Sequence, residues 1–233
     1  GSGSNFTITA TPSATSLAPL SYSIGGATGS FQTSPVFTVA AGTYTVHVKD
    51  ANGCIVPSAA VTVYPQLTAT SAVTRELSCS PTTPDAQITV TASGGRTGYT
   101  YEVSTNGGTT YAAMASNVYT ASAAGTYTFY VKDSKGCPGS VTVTITQPTA
   151  LTTTATATAF SCNTTNVKQS AVVTINVPTT GTAPYTYSFE GSAFTGTRTF
   201  TVNDDGSDQT IDYIVKDNNG CTFTGSVTIN RLN

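Results

Sequence analysis

The sequence predicts an all-β chain: tandem immunoglobulin-like β-sandwich modules in an extended array. Three observations carry that prediction. A phrase recurs, as Val48-Lys49-Asp50-Ala51-Asn52-Gly53-Cys54, Val131-Lys132-Asp133-Ser134-Lys135-Gly136-Cys137 and Val215-Lys216-Asp217-Asn218-Asn219-Gly220-Cys221. Its cysteines step by 83 residues (54 to 137) and 84 residues (137 to 221), and Cys79 to Cys162 repeats the 83-residue step. Self-similarity at a fixed period sets the architecture before any local reading. Finally, apolar residues alternate with Thr and Ser throughout, the period-2 signature of half-buried strands. No stretch carries a helical 3.6-residue period, and β-branched residues crowd every segment.

The clearest strands of the first copy are residues 6–11, 20–24, 42–49 and 59–63. Those of the second are 87–92, 99–103, 125–132 and 140–146, and those of the third 171–177, 184–189, 209–216 and 225–229. Short strands separated by Gly, Pro and Asn turns argue for a sandwich with strands A, B, C, E, F and G, of which these runs are B, C, F and G. Alternation places Tyr44/Val46/Val48, Tyr127/Phe129/Val131 and Ile211/Tyr213/Val215 inward on F. On C the inward set is Leu20/Tyr22/Ile24, Tyr99/Tyr101/Val103 and Tyr185/Tyr187/Phe189. Ala-Gly-Thr-Tyr before strand F, at 41–44 and 124–127, fits a tyrosine corner, although the third copy has Ile211 there. The implied domains are 5–65, a shortened first copy lacking strand A, then 66–148 and 149–233. Residues 1–4, Gly-Ser-Gly-Ser, read as an expression scar.

Charged residues make up 9% of the chain and the net charge is −2. That composition offers no electrostatic footprint for nucleic acid or an anionic membrane. No apolar run approaches the roughly 20 residues of a membrane-spanning helix. Within the repeated phrase, Asp caps a tight turn with its side chain and Gly accepts a positive φ, so the phrase reads as the F–G hairpin with Cys opening strand G.

Five cysteines suggest disulfides with one thiol left over. Pairing within copies gives Cys79–Cys137 and Cys162–Cys221 and leaves Cys54. Pairing across neighbours gives Cys54–Cys79 and Cys137–Cys162 and leaves Cys221. The expectation is pairing within copies, with strand A ending at the same end of the sandwich as the F–G turn. In contrast, the stretch from Cys54 to Cys79 is mostly extended and spans on the order of 80 Å at about 3.3 Å per residue. A disulfide needs Cα atoms within roughly 7 Å. Cys54 is then an orphan, and the first copy is expected to be the least stable, since such a bond is worth about 4 kcal/mol in the chain-entropy model.

Catalysis finds no support. His47 is the only histidine, its counterparts are Tyr130 and Ile214, and a Cys54/His47 dyad lacks a third orienting group. No CxxC or HxxxH spacing points to zinc, and no cofactor is expected. The loop Asn203-Asp204-Asp205-Gly206-Ser207-Asp208 is a weak calcium candidate through Asp204, Asp205 and Asp208. The outward strand-F residues His47, Tyr130 and Ile214 form a spaced row suited to weak surface or glycan contact.

The run Ala-Gly-Thr-Tyr-Thr-x-x-Val-Lys-Asp-x-x-Gly-Cys, followed by Val-Thr-Val/Ile and Pro, resembles the SprB-type repeat of Bacteroidetes gliding-motility and cell-surface adhesins. Phe160-Ser161-Cys162, Ala183-Pro184-Tyr185-Thr186-Tyr187, and Ser93-Gly94-Gly95 with Gly98-Tyr99-Thr100-Tyr101 resemble its front half. The resemblance implies type IX secretion, display at the extracellular cell surface, and a structural or adhesive role. Independently, Tyr64-Pro65 and Gln147-Pro148 give short, stiff links between copies. The function read from the sequence is a structural stalk or adhesive repeat segment of a large secreted bacterial cell-surface adhesin, for gliding motility or surface attachment, with neighbouring repeats and a surface polysaccharide or solid substrate as partners. The alternative is a non-catalytic polysaccharide-binding module of a secreted protein.

Overall fold

The computed structural model describes residues 5–13 and 16–232, so the scar expected at 1–4 lies outside the described residues. The first copy supplies β1 (Phe6–Thr9), β2 (Ser21–Ser23), β3 (Val36–Val39), β4 (Gly42–Tyr44), β5 (His47–Lys49), β6 (Ile55–Pro57) and β7 (Val61–Val63). The second supplies β8 (Thr68–Arg75), β9 (Ala86–Ser93), β10 (Thr100–Ser104), β11 (Ala112–Ala113), β12 (Val118–Ala121), β13 (Gly125–Lys132) and β14 (Pro138–Ile145). The third supplies β15 (Ala155–Ala157), β16 (Ser161–Cys162), β17 (Lys168–Gln169), β18 (Ala171–Ile175), β19 (Thr186–Phe189), β20 (Thr199–Val202), β21 (Gln209–Lys216) and β22 (Thr222–Ile229). The described residues are therefore all-β, and none forms a helix long and apolar enough to cross a membrane.

The sheets have the immunoglobulin-like strand order. In the second copy one sheet runs β12-β9-β8, which is E-B-A, and the other β11-β10-β13-β14, which is C′-C-F-G. The third copy repeats them as β15-β18-β20 and β19-β21-β22, and the first as β2-β5-β6, β4-β7 and a two-stranded β1-β3. The C–F register is the same each time: Tyr22 faces Val48, Tyr101 faces Val131, and Tyr187 faces Val215. By contacts the chain divides into two compact units, one of residues 1–72, 90–117 and 127–143, the other of 73–89, 118–126 and 144–233. The second copy thus contributes to both.

The inward faces follow the alternation. Phe129 and Val131 are fully buried, as is Val215, and Tyr127, Ile211 and Tyr213 nearly so. In the third copy, Tyr187 and Phe189 of β19 and Ile211, Tyr213 and Val215 of β21 close on Val173 of β18 and Val202 of β20. A smaller core in the first copy joins Ile8, Tyr22, Phe37, Val39 and Val46. Burial at about 25 cal/mol per Å² of apolar surface is what holds such layers together. Tyr44 donates its hydroxyl to the Ala40 carbonyl (3.0 Å), closing a tyrosine corner.

Strand F of the first copy departs from the expected single run. Lys49 pairs with Ile55 and His47 with Pro57, whereas Tyr44 pairs with Val61 and Gly42 with Val63. Two residues on F thus oppose three on G, a β-bulge that slips the register by one. Ser58 fills the gap: its Oγ accepts the Val46 N–H (3.0 Å), and its N–H donates to the Val46 carbonyl (2.7 Å).

Candidate functional site

Each repeated phrase folds into the same turn. The Gly N–H returns to the Asp carbonyl at Gly53 (3.0 Å), Gly136 (2.9 Å) and Gly220 (3.1 Å), and the Asp N–H donates to the Cys carbonyl across the hairpin. Asp Oδ1 accepts the N–H of Cys54 (2.9 Å), Cys137 (2.9 Å) and Cys221 (2.8 Å). The expected Asp cap is therefore present three times.

The second carboxylate oxygen does work that the sequence reading missed. Asp133 Oδ2 accepts the Arg96 N–H (2.9 Å) and Asp217 Oδ2 the Thr182 N–H (3.0 Å), so each carboxylate ties the F–G turn to the B–C loop. Both are buried, at 7% and 4% exposure. A Cβ on Gly95 would lie 2.9 Å from Asp133 Oδ2, and one on Gly181 would lie 3.0 Å from Asp217 Oδ2, which explains the glycine in that loop. Hydrogen bonds from the backbone N–H groups of Arg96, Cys137 and Lys135 hold the Asp133 carboxyl below the usual carboxylate range.

The cysteines pair differently from the expectation. Cys79 is bonded to Cys221, with Cα atoms 4.7 Å apart and a sequence separation of 142 residues. Cys137 and Cys162, expected to pair with Cys79 and Cys221, are free and exposed, as is Cys54. The error lay in the direction of strand A. Leu151, ahead of β15, already lies against Gly181 beside the Asp217 turn, since a Cβ on Gly181 would come within 2.8 Å of Leu151 Cδ1. Strand A therefore starts at its own copy's F–G turn and runs away from it. The same holds in the second copy, where Leu67 abuts Gly95 and Gly139, and the eight residues of β8 then carry the chain about 26 Å further. Past its end, the corner at Cys79 meets the F–G turn of the following copy.

That junction is built around backbone. The Cys79 N–H donates to the Asn219 carbonyl (2.9 Å). Gly220, at φ 79°, presses on Ser80, so that a Cβ would sit 3.1 Å from the Ser80 N and Cα. Leu77 anchors the corner at 7% exposure. Phe160 holds the same place before Cys162 at 5% exposure, although there the corner becomes the hairpin β16–β17, closed by Asn163 Oδ1 accepting the N–H of Thr165 and Val167 (both 2.9 Å).

The outward row is placed equivalently but is not exposed. His47, Tyr130 and Ile214 face Ser23, Glu102 and Ser188 on strand C, and all three are half-buried. Among the described residues, His47 Nδ1 has no hydrogen-bond partner. What recurs on this face is the lysine of the repeated phrase over an aromatic ring. Lys49 Nζ lies 5.7 Å from the Phe31 centroid, Lys132 Nζ 5.2 Å from Tyr130, and Lys216 Nζ 4.9 Å from Phe194. Tyr111 packs against Tyr130 with centroids 5.5 Å apart, and Lys132 also pairs with Glu102 (3.1 Å). The ring partners in the first and third copies, Phe31 and Phe194, come from a segment beside strand C, which strand-F alternation does not reach.

The calcium candidate is dispersed. Asp204 Oδ2 binds Lys168 (2.7 Å), Asp205 Oδ1 accepts from Ser207, and Asp208 Oδ1 accepts the Arg231 N–H (2.9 Å). The Lys168 ammonium and the Gly206 N–H hold the Asp204 carboxyl below its usual range, and Asp204 raises Lys168 in turn. Among the described residues, no three His, Cys, Asp or Glu side chains converge as a metal site. An open cavity of about 590 Å³ lies beside Cys137, lined among others by Phe6, Tyr64, Leu67, Arg96 and Asp133.

No family model and no curated protein matches the chain. Among solved structures it is similar to a 1.5-MDa bacterial ice-binding adhesin studied for host cell surface retention, with 15% identity, a TM-score of 0.40, and 91% of this chain and 84% of that one covered. It is also similar to the C-terminal fragment of intimin in complex with the translocated intimin receptor (18% identity, TM-score 0.36, 64% and 53% covered). A third is the eight N-terminal Ig domains of Down syndrome cell adhesion molecule (12% identity, TM-score 0.33, 99% and 34% covered). The chain thus spans about half of the intimin fragment and a third of the eight-domain one.

Proposed function

We propose that this chain is a stalk segment of a large secreted bacterial adhesin, displayed at the cell surface for gliding motility or attachment. Its repeats, of SprB type and exported by type IX secretion, are residues 5–65, 66–148 and 149–233. The observation that carries this reading is the Cys79–Cys221 bond. It ties the corner of one copy to the turn of the next, which suits a thread that must hold under load, and disulfides persist in extracellular settings. The sparse charge is compatible with that role.

A second reading, direct polysaccharide contact, draws on the lysine–aromatic pairs that recur in each copy. Glycan-array binding by the isolated chain separates the two. The stalk reading expects no saturable binding to any glycan. Saturable binding that is lost in a Tyr111→Ala/Tyr130→Ala variant would replace it with the second.

A further inference from the structure

We propose that the Cys79–Cys221 bond is a reversible exchange site, opened by a small carboxylate-bearing thiol that docks in the cavity beside it and attacks Cys79.

The two sulfurs stand in unequal surroundings. Cys221 is 5% exposed, whereas Cys79, on the corner, is exposed. Exchange proceeds by attack of a thiolate on one sulfur of the pair, and access decides which sulfur is taken. An attacker in line with the bond reaches Cys79 from solvent, with Cys221 as the leaving group. To take Cys221 it would have to come through the packed side of the turn.

A binding site adjoins the bond. An open cavity of about 460 Å³ is lined by Ser78 and Ser80, which flank Cys79, and by Asn219 and Gly220, which precede Cys221. That volume falls within the roughly 300–1,000 Å³ of small-molecule sites. Arg75 and Lys216 also line it and supply positive charge. Arg75 is anchored by its Nε, which donates to the Asp85 carbonyl (2.7 Å). Of the two acids on the wall, Asp217 has its oxygens taken up by the backbone N–H groups of Cys221 (2.8 Å) and Thr182 (3.0 Å), which leaves Glu76 as the opposing charge. The cavity therefore favours a ligand that brings carboxylates to Arg75 and Lys216.

The turn itself does not depend on the bond. Cys54 and Cys137 stand in the same turn as free thiols, with its Asp, Gly and Cys backbone hydrogen bonds in place. Opening the bond thus releases the corner and leaves the turn folded. In the exchange, the ligand thiolate forms an S–S bond to Cys79 Sγ, the Cys79–Cys221 bond breaks, and Cys221 leaves as a thiolate that takes a proton from water. One thiol is consumed and one is released, so no oxidant is required. Attack of Cys221 on the mixed disulfide reverses the step.

The test starts from the oxidised whole chain, with Cys54, Cys137 and Cys162 alkylated by N-ethylmaleimide. Glutathione, neutral mercaptoethanol and cationic cysteamine are added at equal thiolate concentration, and the thiol released is labelled and mapped. The expected result is glutathione on Cys79 and the new thiol on Cys221. Glutathione should outpace cysteamine by about two- to fivefold, as a partly exposed ion pair allows, and lose that lead at high salt and in an Arg75→Gln variant. The mercaptoethanol rate should not change in the variant, which separates a lost docking contact from a loosened fold. In the reduced chain the Cys221 amide should stay protected from hydrogen exchange. Adducts on Cys221, a glutathione lead that the variant retains, or loss of that amide protection overturns the proposal. Failure of exchange with the bond present leaves the stalk reading untouched, because none of these outcomes bears on glycan binding.

Discussion

The carboxylate of Asp133 serves two loops at once, and that double duty makes it sensitive to acid. Its partners Arg96, Lys135 and Cys137 donate backbone N–H groups, which the ionised form accepts best. With its folded value depressed, the stabilisation is fully present above the ordinary carboxylate value of about 3.9 and is lost as pH falls through the lower folded value. An Asp133→Asn variant is therefore expected to melt below the parent at neutral pH, and the gap should close as pH drops below about 4. A gap that stays constant from neutral pH to pH 2 would remove the charge from the explanation. The glycines of the turns make a second residue-scale test. Gly136 and Gly220 share a positive φ near 80°, but a Cβ meets nothing at Gly136 and meets Ser80 at Gly220. Gly136→Ala is expected to cost about 1 kcal/mol for the left-handed backbone. Gly220→Ala should cost more and slow formation of the Cys79–Cys221 bond, as read by urea melts and thiol titration. Asp and Gly were legible as turn formers from residue type alone. The second loop that Asp133 grips was not, because Arg96 lies 37 residues away and offers only its backbone.

At the scale of elements, alternation located strands F and C in every copy, because half-buried strands must alternate. Three things escaped it. Strand C′ survives as the short β11 and as single bridges at Gln32 and Thr195, too brief for a period to register. The bulge in the first copy depends on which residues pair, not on which are apolar. The direction of strand A relative to the F–G turn is a matter of topology, and assigning it the wrong way produced the wrong cysteine pairs. The hairpin faces also gain cross-strand threonine pairs, Thr43–Thr62, Thr126–Thr144 and Thr210–Thr228, which give the abundant threonine a local role. The bulge yields the element-scale prediction. Ser58→Ala removes the acceptor of the Val46 N–H and should destabilise the chain by about 1 kcal/mol in urea melts. No loss at all would mean that water replaces the serine.

For the chain as a whole, the decisive link is the one that joins positions 142 residues apart. In the chain-entropy model, closing a loop of that length is worth about 5 kcal/mol, of which engineered and natural bonds usually deliver about 2–5. Its mechanical effect is more distinctive than its thermodynamic one. Tension applied at the two ends passes through the sulfur bridge and bypasses everything between Cys79 and Cys221. A stapled chain can therefore pay out only the residues outside the bridge. Single-molecule pulling should give a final contour length shorter by on the order of 500 Å in the oxidised chain than in the reduced one, at about 3.5 Å per residue. Pairing within copies, Cys79 with Cys137 and Cys162 with Cys221, would instead hide two separate loops of 58 and 59 residues and shorten the chain by roughly 400 Å at the same 3.5 Å per residue. A Cys79→Ser variant separates the schemes further. With the observed bond it should release the whole difference at once, whereas with pairing inside copies it would leave half of the shortening in place. A result of the second kind would overturn the cross-copy staple, and with it the reason for reading these repeats as one load-bearing thread.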